Sequence, residues 1–119
     1  MEDTQLMKGI LEGCILAVIA KRETYGYEIL TCMEQVGFDH LGEGTLYPVL
    51  TRLDKNGYIS CRKAKSPLGP IRKYYSITQS GMQRLESFKE SYIKLSQSTN
   101  RILFEECEKN RTGEGETAL

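Results

Sequence analysis

The sequence predicts a mainly α-helical protein with a small β-hairpin: a winged helix-turn-helix domain followed by one long C-terminal helix. Three observations carry this expectation. Helical apolar periodicity recurs three times before residue 58, two strand-like runs flank the segment SPLGP (66–70), and a heptad stripe runs along the last third of the chain. Three short helices followed by a hairpin is the element order of a winged helix-turn-helix, whose third helix enters the major groove.

The elements follow in order. Residues 4–21, TQLMKGILEGCILAVIAK, repeat Leu6, Ile10, Cys14, Ala17 and Val18 at helical spacing. Beyond Ile10 the segment is apolar on most faces, so one largely buried helix is expected. Gly9 and Gly13 lie one turn apart, permitting close packing at some cost in helix propensity. After the polar break RET, Thr24 is placed to cap a second helix, YGYEILTCMEQVG, with Ile29, Leu30, Met33 and Val36 on one face. Gly37 is placed to end it. A short connection, FDHLGEG, leads to the third helix within GTLYPVLTRLDKNGY (44–58).

YISCRKAK and IRKYYSI are rich in aromatic and β-branched residues and partly alternate apolar with polar positions, so they read as an antiparallel hairpin. Two prolines and a glycine stiffen its tip. Tyr74 and Tyr75 point to opposite faces, so one of them is expected in the core. Thr78 can cap a last helix reaching to about Cys107. Its apolar stripe, Leu85, Phe88, Tyr92 and Leu95 followed by Thr99 and Ile102, advances by 3, 4, 3, 4 and 3 residues, a coiled-coil seam. The expected organisation is a DNA-binding domain over 1–77, a dimerisation helix over 78–108 and a disordered tail over 109–119.

Composition narrows the function classes. Hydrophobic residues make up 39% and charged residues 27%, values of an ordinary globular protein rather than a disordered chain. No window approaches about 18 consecutive apolar residues, and the acidic N-terminus lacks the pattern of a secretory signal. A cytoplasmic protein without membrane partners is expected. Cys14, Cys32, Cys61 and Cys107 are scattered, and the single histidine, His40, completes no zinc-ligand spacing. No cofactor is expected, and the thiols read as small hydrophobes in a reducing cytosol. A redox role has in its favour only Arg62 and Lys63 beside Cys61.

The net charge is zero, but its distribution is uneven. Residues 1–54 hold nine acids and four bases, whereas residues 55–85 hold seven bases and no acid. A neutral protein with one basic segment suggests a local polyanion contact. The competing reading is a solvated hairpin whose Lys and Arg guard its strand edges. Charge alone leaves both open.

YGYEI (25–29), GTLYPVLTRLDKNGYIS (44–60) and GPIRKYYSIT (69–78), followed by Gly81, resemble the PadR-like transcriptional regulators in order and separation. With the leading and final helices, the resemblance covers nearly the whole chain. It implies a cytoplasmic bacterial or archaeal homodimer, usually a repressor, that binds inverted-repeat operators and dimerises through its C-terminal helix. The chain looks like the short subgroup with a single such helix. Some of those members respond to hydrophobic drugs held between aromatic side chains at the dimer centre. Their helix carries a tryptophan at the position taken here by Tyr92, and this chain has no tryptophan.

The candidate sites follow from helix geometry and charge. On the third helix, Leu46, Val49, Leu50 and Leu53 form an apolar face. Opposite lie Gly44, Pro48, Thr51 and Lys55, flanked by Tyr47 on one side and Arg52 with Thr45 on the other. A merely solvated face would be crowded with Glu and Lys. This one is small and hydroxylated, suited to a DNA groove, with Thr45, Tyr47, Thr51 and Lys55 as the contacts. Arg52 suits an internal salt bridge better. Pro48 is most easily accommodated near the helix start. On the wing, Lys65, Arg72 and Lys73 are the expected phosphate contacts. Phe88, Tyr92, Leu95, Thr99 and Ile102, completed by Leu6 and Ile10, are the expected dimer interface; its aromatic residues would favour a small hydrophobic or aromatic effector, and simple core packing is the equal alternative. The function expected is a dimeric, ligand-responsive repressor on double-stranded operator DNA. A winged-helix adaptor that binds proteins instead is the alternative. No catalytic constellation is present in the sequence, so no enzyme is expected.

Overall fold

A computed structural model describes residues 3–104. The tail expected over 109–119, the continuation of the last helix expected to residue 108, and Cys107 lie outside the described residues. The elements are α1 (Asp3–Met7), α2 (Leu11–Lys21), β1 (Thr24–Tyr25), α3 (Gly26–Gln35), α4 (Glu43–Lys55), β2 (Ile59–Lys65), β3 (Ile71–Ile77) and α5 (Gln79–Phe104). This is the expected mainly helical winged-helix order. The described residues divide into two compact units, the first ending at Glu86 and the second beginning at Ser87.

In the first unit the core is built where three amphipathic helices meet a small sheet. Leu11, Ile15, Leu16 and Ile19 of α2 are buried with Ile29 and Met33 of α3, and Leu46, Val49, Leu50 and Leu53 of α4. Leu41, Ile59, Tyr75 and Leu85 close the cluster. The leucine face of α4 is thus the face that the periodicity predicts. Tyr75 is the tyrosine of its pair that enters the core, while Tyr74 stays partly exposed.

Four expectations need correction. The single helix over 4–21 is two helices. Its turn spans residues 8–10, where the Ile10 N–H donates to the Met7 carbonyl at 3.0 Å. Gly9, a poor helix former, occupies the middle of that break. The buried face of α2 is Leu11, Ile15, Leu16 and Ile19, while Cys14, Ala17 and Val18 are only half-buried. A segment apolar on nearly every side carries little periodic information about which face turns inward.

Thr24 does not cap α3. With Tyr25 it forms a short strand, Thr24 opposite Tyr75 and Tyr25 opposite Tyr74, so the hairpin is part of a three-stranded sheet in the order β1-β3-β2. The buried Thr24 hydroxyl donates to Glu28 Oε1 at 2.6 Å. Two residues are too few to show an alternation, so this strand has no local signal. Val36 lies beyond the end of α3 and is 72% exposed instead of joining the apolar face.

Pro48 is the sixth residue of α4, inside the helix and beyond its first turn. Its missing N–H removes the i+4 donor to the Gly44 carbonyl, on a side of the helix that faces solvent. At the other end, the N–H groups of Gly57 and Tyr58 bond back to Asp54 and Leu53, and Gly57 takes a φ of 79° that suits glycine. The Thr78 hydroxyl donates to the Gly57 carbonyl at 2.6 Å and accepts from the Gly81 N–H at 3.1 Å. One side chain therefore caps α5 and ties it to the end of α4.

The second unit consists, among the described residues, of the remainder of α5. Phe88 and Tyr92, one turn apart, stack with ring centroids 6.1 Å apart and 26° between planes. Tyr92 is 50% and Leu95 65% exposed, and Ile93, Ile102, Leu103 and Phe104 are exposed as well. The Thr99 hydroxyl is turned back onto the Leu95 carbonyl at 2.7 Å, which satisfies it locally.

Candidate nucleic-acid interface

The packing of α4 decides which of its side chains are available. With four apolar residues held in the core, Gly44, Thr45, Pro48, Thr51 and Lys55 stand exposed, and Tyr47 is 40% exposed at the margin. The Tyr47 ring lies against Gly26, the first residue of α3. A Cβ built on Gly26 would meet the Tyr47 hydroxyl and come within 2.8 Å of its Cζ. Only a glycine allows this approach of α3 to α4.

Beside that contact opens a cleft of about 560 Å³ lined by Tyr25, Gly26, Tyr27, Tyr47, Thr51, Ile71, Arg72, Lys73 and Tyr75. Three sequence segments therefore converge: the YGY run, α4 and the wing. Arg72 lies over the Tyr25 ring at 4.6 Å, and Tyr25 meets Tyr74 edge-on at 5.7 Å. These stacked contacts hold the Arg72 guanidinium at the cleft without neutralising it. Tyr75 lines the cleft from the core, and burial pushes its phenol up to about 12.

Tyr25, Gly26 and Tyr27 line the cleft without standing out as site residues in the sequence. The YGYEI run is their one signal, and nothing local tells that Tyr25 joins a strand beside the wing.

The bases of the basic segment fall into two classes. Arg62 makes a forked pair with Glu23, both contacts at 2.7 Å, and the Ser76 hydroxyl donates to the same carboxylate. The Arg62 guanidinium holds the Glu23 carboxyl below the usual carboxylate range. Glu12 on α2 takes Arg84 at 2.8 Å and Arg52 at 3.9 Å. Arg52 thus has the internal partner that its position on α4 suggests.

Lys55, Lys63, Lys65, Arg72 and Lys73 are exposed and have no acidic partner among the described residues. Lys63 and Lys73 even stand directly opposite each other across the β2–β3 ladder. Like charges so placed cost stability unless a counter-charge joins them. The wing thus carries uncompensated positive charge beside a small, hydroxylated helix face, an arrangement that can accept phosphates and base edges.

The remaining predicted residues are placed less distinctively. Leu6 is exposed and Ile10 half-buried in the first unit; Phe88 is half-buried and Tyr92, Leu95, Thr99 and Ile102 are exposed in the second. Cys14, Cys32 and Cys61 are half-buried free thiols, and burial pushes the Cys14 thiol up, away from the reactive thiolate.

Comparison with known proteins agrees with this geometry. The model of the Transcriptional regulator PadR-like family matches residues 15–87, which span α2 of the core through the wing to the start of α5. A PadR-like transcriptional regulator from Bacillus cereus is 45% identical, with a TM-score of 0.75 over 84% of this chain and 97% of that one. A Streptococcus transcriptional regulator is 43% identical, with a TM-score of 0.73 over 82% of this chain and 96% of that one. Bacillus subtilis PadR, solved in complex with operator DNA, is 28% identical with a TM-score of 0.61, over 66% of this chain and 46% of its own. The matched segment holds α4, the cleft and the wing together, and the chain belongs to the PadR-like family of transcriptional regulators.

Proposed function

We propose that this chain is a cytoplasmic, homodimeric repressor that binds an inverted-repeat operator in double-stranded DNA and responds to a small hydrophobic or aromatic effector. One observation carries the DNA-binding part. The bases at the end of α4 and along the wing lack acidic partners among the described residues, whereas Arg52, Arg62 and Arg84 have them. Thr45, Tyr47, Thr51 and Lys55 are the proposed groove contacts of α4, and Lys65, Arg72 and Lys73 the proposed phosphate contacts of the wing. The operator complex of Bacillus subtilis PadR supports the same reading by likeness.

Dimerisation is assigned to the segment 78–108, with residues 1–77 as the DNA-binding domain. The exposed Tyr92, Leu95 and Ile102 need a cover that a second copy of the same helix supplies, with Leu6 and Ile10 completing it. The stacked Phe88–Tyr92 pair is the proposed contact for a flat effector. No enzymatic activity is assigned.

The test is selection of duplexes from a random-sequence library by the full chain, followed by titration of the enriched duplex by fluorescence anisotropy. The expected product is an inverted repeat with half-site centres about 10 base pairs apart, or a multiple. Weak retention of all sequences alike would instead favour the winged-helix adaptor, which the zero net charge keeps in view.

A further inference from the structure

The wing tip carries a feature that phosphate binding does not use. Leu68, between Pro67 and Gly69, is fully exposed, and Ile71 at the foot of the tip is exposed as well. The tip holding Leu68 is not a loose loop. The Ser66 N–H and hydroxyl both donate to the Pro70 carbonyl, at 3.4 and 3.1 Å, and the Gly69 N–H donates to the Ser66 carbonyl at 3.5 Å. Ser66 is buried beneath the turn, and Pro67 and Pro70 each fix a backbone angle. Such a tip loses little conformational entropy on binding, so an apolar side chain on it is presented at low cost.

Resting on the DNA-binding reading above, we propose that Leu68 is an apolar wedge that the wing carries into the minor groove, where it partly unstacks one base step in each half-site. The surroundings point to DNA as the occupant. Lys65 and Arg72 flank the tip, Lys73 follows, and no acid occurs from residue 55 to residue 85. A partner that satisfies those charges while offering an apolar interior between charged rails is a nucleic-acid groove. Leucine is among the side chains that minor-groove proteins insert between base steps.

The reach is right. Tyr75 lines the same cleft as Tyr47 and Thr51 of α4. From Tyr75 to Ile71 the strand advances four residues, about 14 Å at roughly 3.4 Å per residue, and the tip adds a few ångströms. A helix in the major groove lies about half a turn, or about 17 Å, from the neighbouring minor groove. The step met there is expected to be a flexible pyrimidine–purine step, where unstacking costs least.

The experiment uses the full chain and the duplex it selects from a random-sequence library, with 2-aminopurine placed in turn at positions flanking each half-site. Wild-type protein is expected to raise the fluorescence several-fold at one position per half-site. Leu68→Ala is expected to give no rise and to bind about tenfold more weakly, with an unchanged salt slope because every phosphate-binding side chain is kept. Leu68→Lys is expected to bind at least as well as wild type at low salt, again without a rise. Leu68 touches solvent only, so unchanged circular dichroism should accompany both variants. The wedge is overturned, with DNA binding intact, if Leu68→Ala matches wild type in affinity and fluorescence, or if wild type binds without any rise. If no duplex is enriched, the DNA-binding reading fails and takes the wedge with it.

Discussion

Tyr47 of α4 closes over Gly26 of α3, its ring filling the space that a side chain on Gly26 would take. The contact joins the two helices at the edge of the cleft that also holds Arg72 and Lys73. It couples a backbone position in the YGY run to the orientation of a proposed DNA contact.

Gly26→Ala is therefore expected to move Tyr47 rather than to unfold the protein. The obstructing atoms are the far end of a flexible side chain, and Gly26 holds no positive φ that alanine would strain. Stability in urea should stay within about 1 kcal/mol of wild type while operator affinity falls. In a Tyr47→Ala background the same substitution should have almost no effect on affinity. Additive effects in that double-mutant cycle would mean that Gly26 acts by another route.

The wing supplies a salt-dependence prediction. Replacing Lys65, Arg72 and Lys73 together by alanine should weaken binding to all sequences. It should also flatten the plot of log affinity against log salt by about 0.9 for each phosphate no longer neutralised, summed over both subunits. An unchanged slope across a salt titration would show that these side chains face solvent and nothing else.

Leu95, 65% exposed on α5, gives a test of the proposed dimer. In a lone chain, Leu95→Glu should leave folding unchanged. In a dimer it removes apolar burial worth about 1.5–3 kcal/mol per copy and places a charge in the seam. The dissociation constant read by analytical ultracentrifugation should rise at least about 100-fold. Equal sedimentation of variant and wild type at all concentrations would exclude Leu95 from an interface.

Tyr75 predicts a loss of stability in alkali. Its buried phenol is pushed up to about 12, whereas an unfolded tyrosine ionises near about 10. The stabilisation from the neutral buried form is complete below pH about 10 and lost as pH rises toward about 12. With water at the cleft screening the phenolate, the full loss is about 1–2 kcal/mol. Tyr75→Phe should melt in parallel with wild type up to about pH 9.5 and then become relatively more stable. Parallel curves throughout would place the Tyr75 hydroxyl in contact with water.

Much of this molecule is readable one segment at a time. The leucine face of α4, its end at Asn56–Gly57, the hairpin and its proline-bounded tip, and the capping of α5 by Thr78 each follow from local chemistry: a period, a turn residue, a hydroxyl before a helix. Where the local signal is weak, the chain alone misleads. The nearly all-apolar run of α2 does not disclose its inner face, and Gly9 breaks a helix that the periodicity would continue.

Tertiary structure decided what no local pattern holds. Thr24 and Tyr25 become a strand only because β3 offers them a ladder, some 50 residues away in sequence. Arg62 looks like any other base of the wing until Glu23 is found beside it, and Arg72 until Tyr25 is found beneath it. Composition determined that the segment 55–85 is basic; folding determined which of its charges remain uncompensated. The physical reason is that charge belongs to the residue, whereas its neutralisation depends on neighbours within a few ångströms, which only the packed chain brings there.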